Sequence, residues 1–223
     1  MSTIVVIPAR GGSKRVPGKN LREVGGMTLI ERCIRTCNRA QLVDEVLVST
    51  DCPAIATVAA SANGYVIWRP AELARDDCRS ALVVAHALEK HRPKCKIAVL
   101  AQCTAPFMTP DDIDAAIDLL PGFDSTAACV PDKGLAINER GECINGRLGC
   151  AQTETLRKVA GSVFATRMSD LLEHDSMSWG RVGFSPSTFP NYCDVDDLQD
   201  IENAKRNIVI TQTSRLYQIP VAI

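Results

Sequence analysis

The chain has 223 residues, 46% of them hydrophobic, with 25 basic against 26 acidic side chains. That supply of apolar residues supports a substantial core, and the balanced charge argues against a broad nucleic-acid-binding face, which needs clustered positive charge. No apolar run is long enough to span a bilayer, and the N-terminal order, apolar residues then cations, reverses that of a signal peptide, so a cytoplasmic location without membrane or nucleic-acid partners is expected.

In chain order, 2–8 is a short β-branched run with the pattern of a buried strand. A glycine-rich basic loop follows at 8–20. Residues 27–40 carry apolar residues at helical spacing, with Cys33 and Cys37 on the face of Leu29, Ile30 and Ile34. The pattern continues with a strand at 44–51, a helix at 53–64 ended by Asn63-Gly64, and a strand at 65–70. A helix at 80–91 and a strand at 96–102 come next, then a helix at 109–120 with Thr109 as N-cap and Pro110 in the first turn. A further strand is read at 124–131. Weak periodicity and four glycines mark 131–160 as an excursion of short strands and turns, a lid or dimerisation arm within a single domain spanning 1–223. A strand at 161–167, a short helix at 168–174, an edge strand within 176–191 and a closing helix within 192–207 complete the chain.

Alternation of strands and helices implies a mostly parallel sheet covered on both faces, and right-handed crossovers make it doubly wound. Ligands of such sheets lie outside the carboxyl ends of the strands. The informative residues fall there: the 8–20 loop, Asp51, Arg69 and Gln102.

The loop, Arg10-Gly11-Gly12-Ser13-Lys14-Arg15 through Pro17-Gly18-Lys19-Asn20, fits neither a Walker A motif nor a dinucleotide fingerprint. Its backbone N–H groups form a candidate anion nest, and four cations add charge, so a polyphosphate is the natural guest. Pro17 and Gly18 would bend it so that Arg10 and Lys19 face the guest from opposite ends. Asp194 and Asp196 would share one face of an extended segment and suit magnesium together with phosphate oxygens. The alternative is a helix start capped by Asp196 and Asp197. In 69–80, Arg69 and Arg79 can reach phosphate or carboxylate while Asp76 and Ser80 offer polar contacts; a capped helix entry is the plain alternative. Gln102 ends a buried strand and suits a nucleobase edge. The ten cysteines contain no C-x-x-C pair and read as reduced core fillers. His86 and His91, five apart, do not align for a metal, and His174 is isolated.

"IPARGGSKRVPGKNL", "VSTD", "RPAELARDD", "AQCTAP" and "DVDDLQD", in this order, resemble the CMP-sialic acid synthetases, or acylneuraminate cytidylyltransferases. That family has pseudaminic and legionaminic acid branches, and 3-deoxy-manno-octulosonate cytidylyltransferases are more distant relatives. The resemblance covers 3–120 and 185–207 and lapses over 131–160. It implies a Rossmann-like fold of the nucleotide-sugar transferase type. It also implies a homodimer, CTP and a nonulosonic acid sugar as substrates, and Mg2+ as cofactor. Carried over, Arg10, Gly11, Gly12, Ser13, Lys19 and Asn20 would hold CTP phosphates. Arg69, Ser80 and Gln102 would surround nucleotide and sugar, and Asp194 and Asp196 would bind metal. Departures fall at Cys103, Ala105 and Met108, where the family pattern is Q-P-T-S-P-L-R, and at Ala160. Two rival readings stay open: a catalytically weak nucleotide-binding protein of a glycan pathway, and a nucleotidyltransferase for a non-sugar acceptor.

Overall fold

The computed structural model describes residues 2–132, 156–187 and 193–217. Strand β1 (Thr3–Pro8) leads through the basic loop to a two-residue hairpin, β2 (Glu23–Val24) with β3 (Met27–Thr28), and then to helix α1 (Leu29–Cys37). There follow β4 (Glu45–Thr50), α2 (Pro53–Ser61), β5 (Tyr65–Trp68), α3 (Ser80–His91), β6 (Ile97–Ala101) and α4 (Pro110–Leu119). The last described elements are β7 (Ser125–Asp132), β8 (Leu156–Arg167), α5 (Met168–His174), β9 (Val182–Pro186) and α6 (Leu198–Tyr217).

Seven strands form one sheet in the order β5-β4-β1-β6-β8-β7-β9. All run the same way except β8, which pairs antiparallel with β6 on one side and β7 on the other. The expected doubly wound, mostly parallel α/β sheet is what forms. Successive residues of β1 serve opposite layers, which is why its sequence reads as a continuous apolar run. Val5 and Ile7 pack with Ile30, Cys33, Ile34 and Cys37 of α1, Ile55 and Ala59 of α2, and Ile113 and Ala116 of α4. Ile4 and Val6 pack with Ala81, Val84 and Leu88 of α3 and with Leu171 of α5.

Local chemistry sets several boundaries where the sequence placed them. Thr109 caps α4 in a reciprocal box: its hydroxyl accepts from the Asp112 N–H, and Asp112 accepts from the Thr109 N–H. Helices α3 and α5 match their expected limits residue for residue. Two differences arise in the 131–160 stretch. Residues 131–132 extend β7 and 156–160 begin β8, because the two strands pair along Pro131↔Arg157 and Asp132↔Leu156; the remainder of the expected excursion, 133–155, lies outside the described residues. The eight described cysteines are all free, and Cys33, Cys37, Cys95, Cys103 and Cys129 are buried as expected. His174, expected to be isolated, stacks on Trp179 with ring centres 3.8 Å apart.

Glu45 ties the start of β4 to the end of α3. It accepts hydrogen bonds from His91 Nε2 (3.0 Å) and Arg92 Nε (2.6 Å), while Tyr65 stacks on His91. Burial pushes the Glu45 carboxyl up, but the bonds from His91 and Arg92 outweigh it and leave the pKa below the usual carboxylate range. A lowered native pKa stabilises the fold above the unfolded pKa, and that stabilisation fades as pH falls through the native one. Glu45→Gln is therefore expected to lower Tm at neutral pH, with the gap to wild type closing under acid. Thermal melts across that range measure it; a gap that persists unchanged into acid would discount the pairing.

Candidate active site

Chain order reverses between β1 and β6, the two neighbours at the centre of the sheet. Their carboxyl ends open into a cleft of about 520 Å³. The basic loop forms one wall, residues 69–83 a second, and the turn after β6 a third. Arg10, Ser13, Lys19, Asn20, Arg69, Asp76, Ser80, Gln102 and Asp196 all line it, so nine of the sequence-derived candidates converge. Gly11, Gly12 and Asp194 do not line it directly. Lys14, Arg15 and Arg75 join the lining, which then carries six cationic and two anionic side chains. Arg75 and Thr104 were not among the candidates; their position beside matched motifs was the one available signal.

The loop is held by bonds to distant segments. Gly18 turns it with φ +66° and starts a short 3-10 turn over Lys19–Leu21. Asn20 is buried, and its Nδ2 donates to Arg10 O (3.0 Å), closing the two ends of the loop on each other. Its Oδ1 accepts from Cys103 Sγ at 3.2 Å. Burial pushes the Cys103 thiol up to about 12, so it keeps the proton it donates and fixes the Asn20 amide. The Cys103 departure from the family pattern thus has a structural use, while Ala105 and Met108 are buried in the core.

The expected backbone nest is partly spent within the protein. The Gly11 N–H donates to Asp51 Oδ1 (2.8 Å) and the Ser13 N–H to Gly11 O (3.2 Å). Positive lining comes mainly from side chains, and these sort to two walls. Arg10 and Lys14 pair with Asp76, Lys14 at 2.6 Å. Arg15 (3.2 Å) and Lys19 (3.4 Å) pair with Asp196 Oδ1. Arg10 and Lys19 therefore pair with different acidic side chains of the cleft lining.

Arg69 differs from its sequence reading. It is 8% exposed, and its guanidinium donates to Ser49 O and Leu73 O. Burial lowers its pKa, but an arginine keeps its charge at any working pH. It is a fixed positive charge in the cleft wall, bracing β4 against 71–74. Ser80 opens α3, whose first-turn N–H groups have no side-chain cap. That helix end and its dipole favour an anion in the cleft.

Asp194 and Asp196 flank Val195, whose N–H donates to Thr104 O (2.8 Å) and whose O accepts from Lys19 Nζ (2.8 Å). The alternative capping role holds for Asp197 but not for the Asp196 side chain: Asp197 Oδ1 accepts from the Asp200 N–H and Asp200 Oδ2 from the Asp197 N–H. Asp196 is thus left free of helix capping by its side chain. Asp194 is exposed by area, yet loss of water around its carboxyl is the main cause of a raised pKa. Asp196 adds to the rise, and a Thr104 hydrogen bond and Lys19 oppose it. Two oxygen-donor carboxylates that repel each other near a cationic cleft fit a hard divalent cation. Among the described residues no third acidic, His or Cys ligand joins them, so remaining ligands would come from phosphate and water.

Asp194 lies beside an irregularity in β8. Pairing with β7 slips between Ala127 and Cys129, and Gly161 there takes φ +67°. A Cβ on Gly161 would sit 3.7 Å from Asp194 Oδ2, an ordinary contact, so the barrier to substitution is the backbone. Gly161→Ala is expected to cost about 1–2 kcal/mol and to lower Tm by several degrees in thermal melts. An unchanged Tm would mean that the bulge relaxes to a left-over conformation open to any residue.

Comparison with known proteins places these observations. A family model described as "Cytidylyltransferase" matches residues 4–138. The chain is 37% identical over 123 residues to CMP-N,N'-diacetyllegionaminic acid synthase of Legionella pneumophila, covering 53% of each chain. It is 37% identical over 119 residues to 3-deoxy-manno-octulosonate cytidylyltransferase of an Anaeromyxobacter strain, covering 53% of this chain and 47% of the other. The octulosonate enzymes, expected to be more distant, stand level with the nonulosonate one. The chain spans about half the length of the curated relatives it matches. In fold it superposes on CMP:2-keto-3-deoxy-manno-octonic acid synthetase complexed with CTP, with a TM-score of 0.74 at 19% identity, over 95% of this chain and 100% of that one. Among the described residues no helix is long and apolar enough to cross a membrane.

Proposed function

Because the chain belongs to the cytidylyltransferase family, we propose that it joins CTP to a nonulosonic acid, giving the CMP-sugar and pyrophosphate. The observation that carries this reading is the meeting of six cationic side chains with only two acidic ones, Asp76 and Asp196, in one cleft at the sheet's switch point. A neutral substrate would leave that excess positive charge unbalanced; a triphosphate offsets it.

In the reaction, the anomeric hydroxyl oxygen bonds to the α-phosphorus as the bond to the bridging oxygen of the leaving pyrophosphate breaks. The hydroxyl proton passes to solvent. Such transfer depends on alignment and charge neutralisation more than on covalent help. Arg10 and Lys19, at opposite ends of the loop, align the triphosphate and take up charge on the departing pyrophosphate. Ser13 and the end of α3 at Ser80 bind further phosphate or ribose oxygens, Gln102 meets the base, and Arg69 adds a fixed positive field. Magnesium on Asp194 and Asp196 would neutralise phosphate charge and acidify the attacking hydroxyl. The homodimer implied by resemblance belongs to the same proposal and is read by light scattering.

A second reading has a specific support: the octulosonate relatives match at the same identity, which makes an eight-carbon keto acid the rival acceptor. Pyrophosphate release with CTP and Mg2+ over N-acylneuraminic, pseudaminic, legionaminic and 3-deoxy-manno-octulosonic acids decides between them, with ATP, GTP and UTP as controls. Release with a nine-carbon acid is expected. Release with the octulosonate alone selects the rival, and CTP binding without release by any acid selects a non-catalytic nucleotide-binding protein.

A further inference from the structure

We propose that Arg15 is a positioning residue that weakens metal binding at Asp196 until a triphosphate draws it away. The inference rests on the cytidylyltransferase reading of the cleft. Both loop cations of that wall sit on the same carboxylate oxygen: Arg15 Nη1 at 3.2 Å and Lys19 Nζ at 3.4 Å from Asp196 Oδ1. An oxygen already shared by two positive groups is a poor ligand for a third cation. The mirror arrangement on the opposite wall, Arg10 and Lys14 on Asp76, shows that each acidic side chain of the lining stands where loop cations meet it.

A triphosphate offers more charge and more oxygens than one carboxylate, so it competes for the same guanidinium and ammonium groups. The two cations on Asp196 differ in their freedom to respond. The Lys19 side chain is 16% exposed and also bonds Val195 O at 2.8 Å, which keeps it beside Asp196. The Arg15 side chain is 73% exposed and can swing to a phosphate. Its departure bares Asp196, two residues from Asp194. Two close carboxylates then favour a divalent cation. By thermodynamic linkage, nucleotide and metal strengthen each other's binding through this exchange. The metal site is completed by the substrate that needs it.

Mn2+ binding to the nucleotide-free protein, followed by electron paramagnetic resonance, tests this without reference to activity. Asp196→Asn is expected to lose the bound ion. Arg15→Ala is expected to bind Mn2+ roughly two- to fivefold more tightly than wild type, the scale of one exposed ion pair. Lys14→Ala, a neighbouring loop cation that pairs with Asp76, is the charge control and should leave the affinity unchanged. If Arg15→Ala and Lys14→Ala tighten binding equally, bulk charge explains the effect and the proposal is overturned. It is overturned too if Arg15→Ala binds no better than wild type, including no binding in either. If Asp196→Asn binds Mn2+ like wild type, the aspartate pair is not the metal site and the mechanistic reading fails with it.

Discussion

Asp196→Ala is expected to cut turnover by roughly 10³-fold or more while leaving the fold intact. A metal ion contributes several kcal/mol of charge stabilisation to the transition state, and about 1.4 kcal/mol corresponds to each factor of ten in rate. The stability side of the claim follows from where Asp196 sits. Its side chain is 54% exposed, its ion pairs are surface pairs worth little to folding, and the cap of α6 is made by Asp197 with Asp200. Stability should therefore change by no more than about 0.5 kcal/mol. Steady-state pyrophosphate release and thermal melts on the same preparation separate the two effects. Near-normal turnover in the variant would sink the metal assignment; a collapsed Tm would mean that the carboxylate is structural.

Lys19→Ala is the second large expected effect, with kcat reduced roughly 10²–10³-fold, the usual cost of removing one preorganised charge from a transition state. Unlike Asp196, Lys19 also holds structure together: its ammonium bonds Val195 O and pairs with Asp196. Truncation should lower Tm modestly and, on the proposed function, raise KM for CTP and slow the chemical step, because the same group would grip the triphosphate at rest and the pyrophosphate as it leaves. Lys19→Arg should recover little, since a planar guanidinium does not fit a site built around a compact ammonium that is 16% exposed. Turnover within tenfold of wild type in Lys19→Ala would remove this residue from the machinery.

Much of this architecture was legible in the residues because it depends on neighbours in the chain. Thr109 and Pro110 announce α4, and the four-residue spacing of Cys33 and Cys37 places both on the buried face of α1. The gathering of Arg10, Lys19, Ser80 and Gln102 follows from one rule, that strand ends of a doubly wound sheet share an edge. What stayed hidden depends on partners far along the chain. Period-two patterning reports that 161–167 is a strand but not that it runs against its neighbours, nor that it begins at 156 to pair with β7. Arg69 has the look of a free ligand group; its capture by Ser49 O and Leu73 O is decided by packing. Asp76 reads as a polar contact for a ligand, and its pairing with Arg10 and Lys14 depends on the fold. A thiol at Cys103 that fixes the Asn20 amide 83 residues away has no signature in spacing at all.

The bond from Lys19 to Val195 joins residues 176 apart in the chain. Synthesis proceeds from the N-terminus at roughly 5–20 residues per second, so the cationic loop leaves the ribosome well before the acidic segment that will oppose it. A nascent chain can assemble β1, β4, β5 and β6 around local helices and already present a surface attractive to nucleotides. It cannot yet balance Arg15 and Lys19, nor offer two carboxylates to a metal. The cleft wall that joins Lys19 to Val195 is thus closed only after the segment around Val195 has followed the loop out of the ribosome.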